Sequence, residues 1–214
     1  MPDSLNKKLV LIGGGGHCAS VYDSLKKCGE YRDIVITDNG IPEGETVCGC
    51  IVAGSDDKLP TLFSEGYKDA VITVGSIKDD STRRRIKDDA QKTGFSFPAV
   101  IDPSAAIADD AKISDGVFVG KRSVINTGSL VGRFSIINTA AVIEHNCSVG
   151  EFTHISIGAV VCGDCVIGDD VFIGANATVI QGVTIGSGCT IAAGALVLAD
   201  VPGNTTVKGV WKGH

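Results

Sequence analysis

The stretch Val119-Gly-Lys-Arg-Ser-Val-Ile125-Asn-Thr-Gly-Ser-Leu-Val131-Gly-Arg-Phe-Ser-Ile-Ile137 returns to Ile or Val at every sixth residue. The period holds outward on both sides. It begins at Ile101, Ile107 and Ile113 and continues through Ile143, Val149, Ile155, Val161, Ile167, Ile173, Val179, Ile185, Ile191 and Val197, seventeen successive positions without a gap. Two residues before each of these, the chain carries a small residue, as at Ala105, Ser123, Ser129, Ala141, Cys147, Thr153, Ala159, Cys165 and Cys189, or a valine, as at Val117, Val171 and Val183. Both positions therefore face inward.

A six-residue period matches neither a helical face nor simple strand alternation. It suits a parallel β-solenoid with triangular coils, each of three short strands and about eighteen residues. Residues eighteen apart then stack in columns, rising about 4.8 Å per coil. A run of ordinary hairpins would instead need irregular turns every 8–12 residues or so. The period itself does not fix the hand of the coil. The hexapeptide form Val119-Gly120, Val131-Gly132, Val149-Gly150, Ile167-Gly168, Ile173-Gly174 and Ile185-Gly186 resembles the left-handed parallel β-helix of the hexapeptide-repeat acyltransferases.

At 214 residues and 43% apolar content, the chain has room for one or two well-packed domains. A net charge of −6, with no basic cluster interleaved with aromatics, argues against a nucleic-acid partner. No apolar run is long enough to span a membrane and the start is polar, so no membrane partner and a cytoplasmic location are expected. Among the eight cysteines, Cys147, Cys165 and Cys189 take the inward small position. Cys162-Gly-Asp-Cys165 has the spacing of a metal pair, but one thiol faces the core and no second pair lies nearby, so no metal site is expected.

Residues 1–97 read as an α/β half-Rossmann (βαβαβ) domain, and 98–214 as the all-β helix with a C-terminal tail. The strand Lys8–Ile12 runs into Gly13-Gly14-Gly15-Gly16-His17 and an amphipathic helix to about Lys27. A second strand, Asp33–Thr37, ends at Asp38, where such folds often aim an acid at a ribose. A short helix over Asp56–Glu65, a third strand over Ala70–Val74 and a helix over Asp79–Thr93 follow. The run Arg83-Arg84-Arg85 reads as solvated surface. Gly14-x-Gly16-x-x-Ala19 fits a relaxed dinucleotide fingerprint, but three strands are half of the doubled unit and suit one nucleotide. A loop bringing backbone N–H groups to phosphate or sugar and a plain structural turn both remain open.

On the outside of the solenoid, Phe118, Ile136, His154 and Phe172 are spaced by eighteen, with Phe134 and Phe152 beside them. An exposed apolar stripe of this kind is expected to be a subunit interface. His145 lies half a coil from His154, on another face. The two histidines of one chain therefore do not meet easily, whereas those of neighbouring chains in a closed ring can. The expected site lies between subunits.

The glycine-rich opening, followed by a hexapeptide helix bearing Ile143-Glu144-His145-Asn146 and Gly150-Glu-Phe-Thr-His154, resembles the bacterial sugar O- and N-acetyltransferases that modify sialic acid or nucleotide-linked 4-amino-sugars. The resemblance covers almost the whole chain. It implies a homotrimer with acetyl-CoA in the groove between adjacent helices, His145 as general base, and His154 as the motif's second histidine. It also implies that the N–H of Gly163 donates to the thioester carbonyl, and that a nucleotide-sugar lies near Gly13, Gly15, Gly16, His17 and Asp38. Several relatives carry an acid directly after the histidine. Here Asn146, a neutral amide, takes that place and can orient the ring without adding charge. The tail Val207-Lys-Gly-Val-Trp211-Lys-Gly-His214 departs from the usual Gly-Val-Pro-Ala ending, leaving Lys208 and Lys212 as candidate phosphate contacts for CoA.

The expected activity is N-acetylation of a nucleotide-activated amino-sugar at a 4-amino group, with O-acetylation of sialic acid or a related sugar as the alternative. A metallohydratase like the γ-type carbonic anhydrases would need three histidines per zinc, and the solenoid carries only His145 and His154 before His214. A non-catalytic nucleotide-sugar-binding protein is the remaining reading.

Overall fold

A computed structural model describes residues 7–75 and 81–213 of the chain. Asp79 and Asp80, expected to open the third helix, and the terminal His214 lie outside the described residues. The chain divides into two compact units, Met1–Pro98 and Ala99–His214.

The first unit is built on β1 (Lys7–Ile12), whose residues Leu9 to Ile12 are wholly buried. It lies at the centre of a three-stranded parallel sheet, between β2 (Tyr31–Thr37) and β5 (Asp69–Ile72). A small antiparallel hairpin of β3 (Thr46–Val47) and β4 (Cys50–Ile51), absent from the sequence reading, follows β2 in the chain. Helix α1 (Gly16–Cys28) buries Cys18, Val21 and Leu25. It stops at Gly29, whose φ of 68° is the left-handed value that terminates helices, and whose N–H bonds to the Leu25 carbonyl. A 3₁₀ turn (Asp56–Lys58) leads into α2 (Leu59–Ser64), and α3 (Ser81–Thr93) closes the unit. Arg83 corrects the expected solvated surface: it is 2% exposed, while Arg85 remains exposed. Residues 83, 86 and 90 recur at the spacing of one helical face, and that face is the buried one.

The second unit is a parallel solenoid of two-residue strands from Val100–Ile101 to Val210–Trp211, arranged in three walls of seven, seven and five strands. The first wall stacks Phe118–Val119, Ile136–Ile137, His154–Ile155 and Phe172–Ile173. The second stacks Val124–Ile125, Val142–Ile143 and Val160–Val161, and the third Leu130–Val131, Ser148–Val149 and Val166–Ile167. Every pairing joins residues eighteen apart until the last coil, where Thr190 pairs with Thr206. The tail strands Thr206–Val207 and Val210–Trp211 extend the first and second walls.

The inward Ile and Val side chains from Val119 to Val197 form the buried core. In the first coil, which has none beneath it, Ile101 is 36% exposed. The small inward residues do more than save space. The hydroxyls of Ser129, Ser135 and Thr153 donate to the carbonyls of Glu144, Gly150 and Gly168, each fifteen residues on. The thiols of Cys147 and Cys165 do the same to Cys162 and Ile180. A corner carbonyl that would be buried without a partner is satisfied from inside the coil.

The aromatic stripe on the first wall differs from expectation. Phe118 and Ile136 are 3% and 1% exposed, and Phe134 and Phe152 are equally buried, so the lower stripe is already covered within one chain. Part of that cover is mutual, since the rings of Phe134 and Phe152 stack at 5.1 Å. Gly116, directly beneath, leaves room for Phe134. Only His154 and Phe172 are half-exposed.

Candidate active site

The corner after Val142–Ile143 turns the chain from the second wall to the third, and His145 sits on it. Asn146 has φ 59° there and Asp164, one coil above, also has φ 59°; Gly128 and Gly182 fill the same column with φ 70° and 75°. Only Gly, Asn and Asp take this left-handed conformation readily, so the backbone explains the residue types. Glu144 braces the turn: its Oε2 accepts from Asn126 Nδ2 at 3.0 Å and from the His145 N–H at 3.2 Å.

The imidazole of His145 lies against Gly163. A Cβ at Gly163 would fall 2.4 Å from Cε1 and 2.5 Å from Nε2, so the ring occupies space that only a glycine leaves. Among the described residues, the N–H of Gly163 finds no hydrogen-bond acceptor. On the other edge, Nδ1 lies 3.3 Å from Asn146 Nδ2 and 3.9 Å from Asp164 Oδ1. Asn146 Nδ2 donates to that same Oδ1 at 3.0 Å, and Gln181 Nε2 donates to Oδ2 at 3.0 Å. Hydrogen bonds from Asn146 and Gln181, aided by His145, hold the Asp164 carboxyl below the usual carboxylate range.

The structure thus gathers His145, Asn146 and Gly163, and adds Asp164 and Gln181, which the sequence reading missed. The available signal was spacing: Asp164 is eighteen residues past Asn146, and Gln181 is thirty-six past His145. His154 stands on the first wall, its ring edge-on to Phe172 at 5.3 Å and its Nε2 3.3 Å from Asn138 Nδ2. Lys212, exposed, follows the strand paired with Leu196–Val197 and so tops the column of Glu144, Cys162, Ile180 and Leu198. Four rungs of about 4.8 Å put it roughly 19 Å above the Glu144 level, on the His145 side. Lys208 tops the column of Asn138, Ser156, Gly174 and Ala192, at a different corner. Cys165 of the CxxC pair is fully buried and its thiol donates to Ile180. Among the described residues, no group of three or more His, Cys, Asp or Glu is placed to hold a metal ion.

In the first unit, Gly13 has φ 109°; its N–H donates to the Thr37 carbonyl and its carbonyl accepts from Thr73 Oγ1. A Cβ there would strike Val74 Cγ2 at 2.7 Å. Asp38 clips the loops together: Oδ2 accepts the Gly14 N–H at 2.7 Å, and Oδ1 accepts those of Gly40 and Ile41 at 2.8 and 3.1 Å. Gly13 and Asp38 line one cavity of about 180 Å³ with Asn39, Asp56 and Arg85, three residues not singled out from sequence. Gly15, Gly16 and His17 are outside its lining, at the start of α1, where no side chain caps the helix and a Cβ at Gly15 or Gly16 would meet only open space. Asp38→Ala leaves three N–H groups without their acceptor and is expected to cost about 1–3 kcal/mol. Thermal unfolding measures this, and an unchanged midpoint would refute the clip.

A search of curated protein sequences finds no match. The PglD N-terminal domain family matches residues 8–90, and the bacterial transferase hexapeptide (six repeats) family matches 146–181 and 164–199. A histidine variant of perosamine N-acetyltransferase from Caulobacter crescentus, in complex with CoA and GDP-perosamine, is 34% identical; the alignment covers 93% of this chain and 92% of that one at a TM-score of 0.87. The acetyltransferase domain of PglB from Neisseria gonorrhoeae FA1090, in complex with acetyl coenzyme A, is 36% identical, with coverage of 95% and 97% and a TM-score of 0.88. WeeI from Acinetobacter baumannii AYE shares the fold at 22% identity and a TM-score of 0.77. With identities above 30% across nearly the full length of both chains, the protein belongs to the hexapeptide-repeat family of bacterial sugar acetyltransferases, left-handed β-helix enzymes that here carry a PglD-type first domain.

Proposed function

We propose that the protein transfers the acetyl group of acetyl-CoA to the amine, at the 4-position, of a nucleotide-activated amino-sugar. The observation that carries this reading is the near full-length likeness to an N-acetyltransferase complexed with CoA and GDP-perosamine, joined to a histidine seated against a glycine whose N–H has no acceptor among the described residues. The first unit holds the nucleotide at the cavity lined by Gly13 and Asp38, with the N-terminus of α1 toward its phosphates. The solenoids form a homotrimer, with the donor in the groove beside His145 and Lys212 toward its phosphates. The enzyme works in the cytoplasm; among the described residues, no helix is long and apolar enough to cross a membrane.

Acetyl-CoA, when bound, supplies an already activated acyl group. His145 Nε2 takes the proton lost by the sugar nitrogen as the C–N bond forms. The N–H of Gly163 donates to the thioester oxygen as negative charge builds there. His145 then returns the proton to the CoA sulfur as the C–S bond breaks. The chemistry requires no nucleophilic Ser or Cys.

The test is CoA thiol release by the purified protein with a panel of UDP-, GDP- and dTDP-linked 4-amino-sugars, and with sialic acid. An alkali-stable acetylated product is the expected amide. An alkali-labile ester formed only on sialic acid would replace this reading with O-acetylation. Nucleotide-sugar binding without thiol release would make the protein a binding module.

A further inference from the structure

Nδ1 of His145 faces two partners with opposite demands. The Asn146 amide, 3.3 Å away through its NH₂ group, offers a proton and favours a bare Nδ1. The Asp164 carboxylate, 3.9 Å away and beyond direct hydrogen-bonding distance, favours Nδ1–H through its negative charge. The choice matters because the two tautomers leave opposite nitrogens with the lone pair: Nδ1–H frees Nε2 as a base, whereas a bare Nδ1 puts the proton on Nε2 and disables it.

We propose that Asp164, reaching across from the next coil, is the positioning residue that sets the His145 tautomer and stabilises the imidazolium formed during transfer, a task the neutral Asn146 cannot perform. Three features of the site support the assignment. Asn146 Nδ2 donates to Asp164 Oδ1 at 3.0 Å, so one of its two N–H groups is spent on the carboxylate. Gln181 Nε2 donates to the other oxygen at 3.0 Å, so both carboxylate oxygens carry a side-chain hydrogen bond. The carboxyl is also held below its usual range, so it is charged wherever a neutral histidine can act as base. The backbone carries the same relation, since the Asp164 N–H donates to the His145 carbonyl at 2.9 Å and fixes one corner upon the next.

The inference rests on His145 being the base, and its test separates the two. Asp164→Asn keeps the size and the left-handed backbone and removes only the charge. It is expected to lower kcat by about 10–100-fold, less than the loss at a buried acid because this pair is partly solvated, with KM for both substrates within about twofold. The independent readout is ¹⁵N NMR of the imidazole under conditions where it is neutral: the wild-type enzyme is expected to hold the Nδ1–H tautomer, and Asp164→Asn to shift it toward Nε2–H. The double variant Asn146→Asp, Asp164→Asn returns a carboxylate to the same edge of the ring and is expected to restore the tautomer and most of kcat. Should Asp164→Asn not fold, Asp164→Gly serves, because glycine already fills this column at Gly128 and Gly182. An unchanged tautomer, a kcat within about twofold of wild type, or failure of the swap to restore Nδ1–H would overturn the assignment. Full activity in a His145 variant would instead overturn the base itself.

Discussion

Replacing His145 with alanine is expected to lower kcat by about 10²–10⁴-fold, the usual contribution of a positioned general base. The fold is expected to survive, because the side chain is 42% exposed on an outer corner and takes no part in the Ile/Val core. KM for the nucleotide-sugar is expected to stay near its wild-type value, since in the proposed mechanism the ring acts on the reacting nitrogen rather than on the nucleotide. Thiol-release kinetics alongside circular dichroism decide the matter. Near-native turnover by a folded His145→Ala enzyme would remove His145 from the chemistry.

Gly163→Ala is expected to cost about 10²-fold in kcat with little loss of stability, through a different physical cause. The new methyl would lie 2.4 Å from Cε1 and 2.5 Å from Nε2 of His145, so the ring must leave its seat. A displacement of about an ångström at a reacting group is enough for a loss of this size. The neighbour that yields is a side chain rather than backbone, which is why the coil is expected to remain intact. Gly150 makes a useful contrast: a Cβ there would meet backbone atoms of Asp169 and Gly168 at 2.6 Å, where nothing can turn aside. A Gly163→Ala enzyme with normal kcat would mean that the ring need not occupy this position.

The solenoid was legible because each coil repeats the same physical requirement. Ile or Val every sixth residue and a small residue two before it fix which side chains face inward, and the described walls follow with a register of eighteen. The corner position of His145 and its separation from His154 follow from the same count. What the count does not carry is contact between coils. Asp164 and Gln181 are distant from His145 in sequence and were hidden because motifs are read along the chain, while the site is assembled across it. Residue parity likewise distinguishes inside from outside the prism, yet not open from covered, so it points Phe118 and Ile136 outward without showing that they are buried. Arg83 was read with its two neighbours as a charge run, whereas helical geometry separates the three onto different faces. Asp38 was placed correctly at the end of β2, but its part in tying down three backbone N–H groups depended on loops whose path no propensity specifies.

The eighteen-residue register makes the protein a phased object. A lengthening of six residues anywhere below His145 would turn everything above it by one wall and carry the imidazole to a different edge of the prism. A whole added turn would instead raise the same pocket by a single storey and leave its plan unchanged. Natural or engineered changes of length are therefore restricted to full revolutions in the rungs that bear the chemistry, and short insertions are confined to corner loops that return the thread to its starting angle.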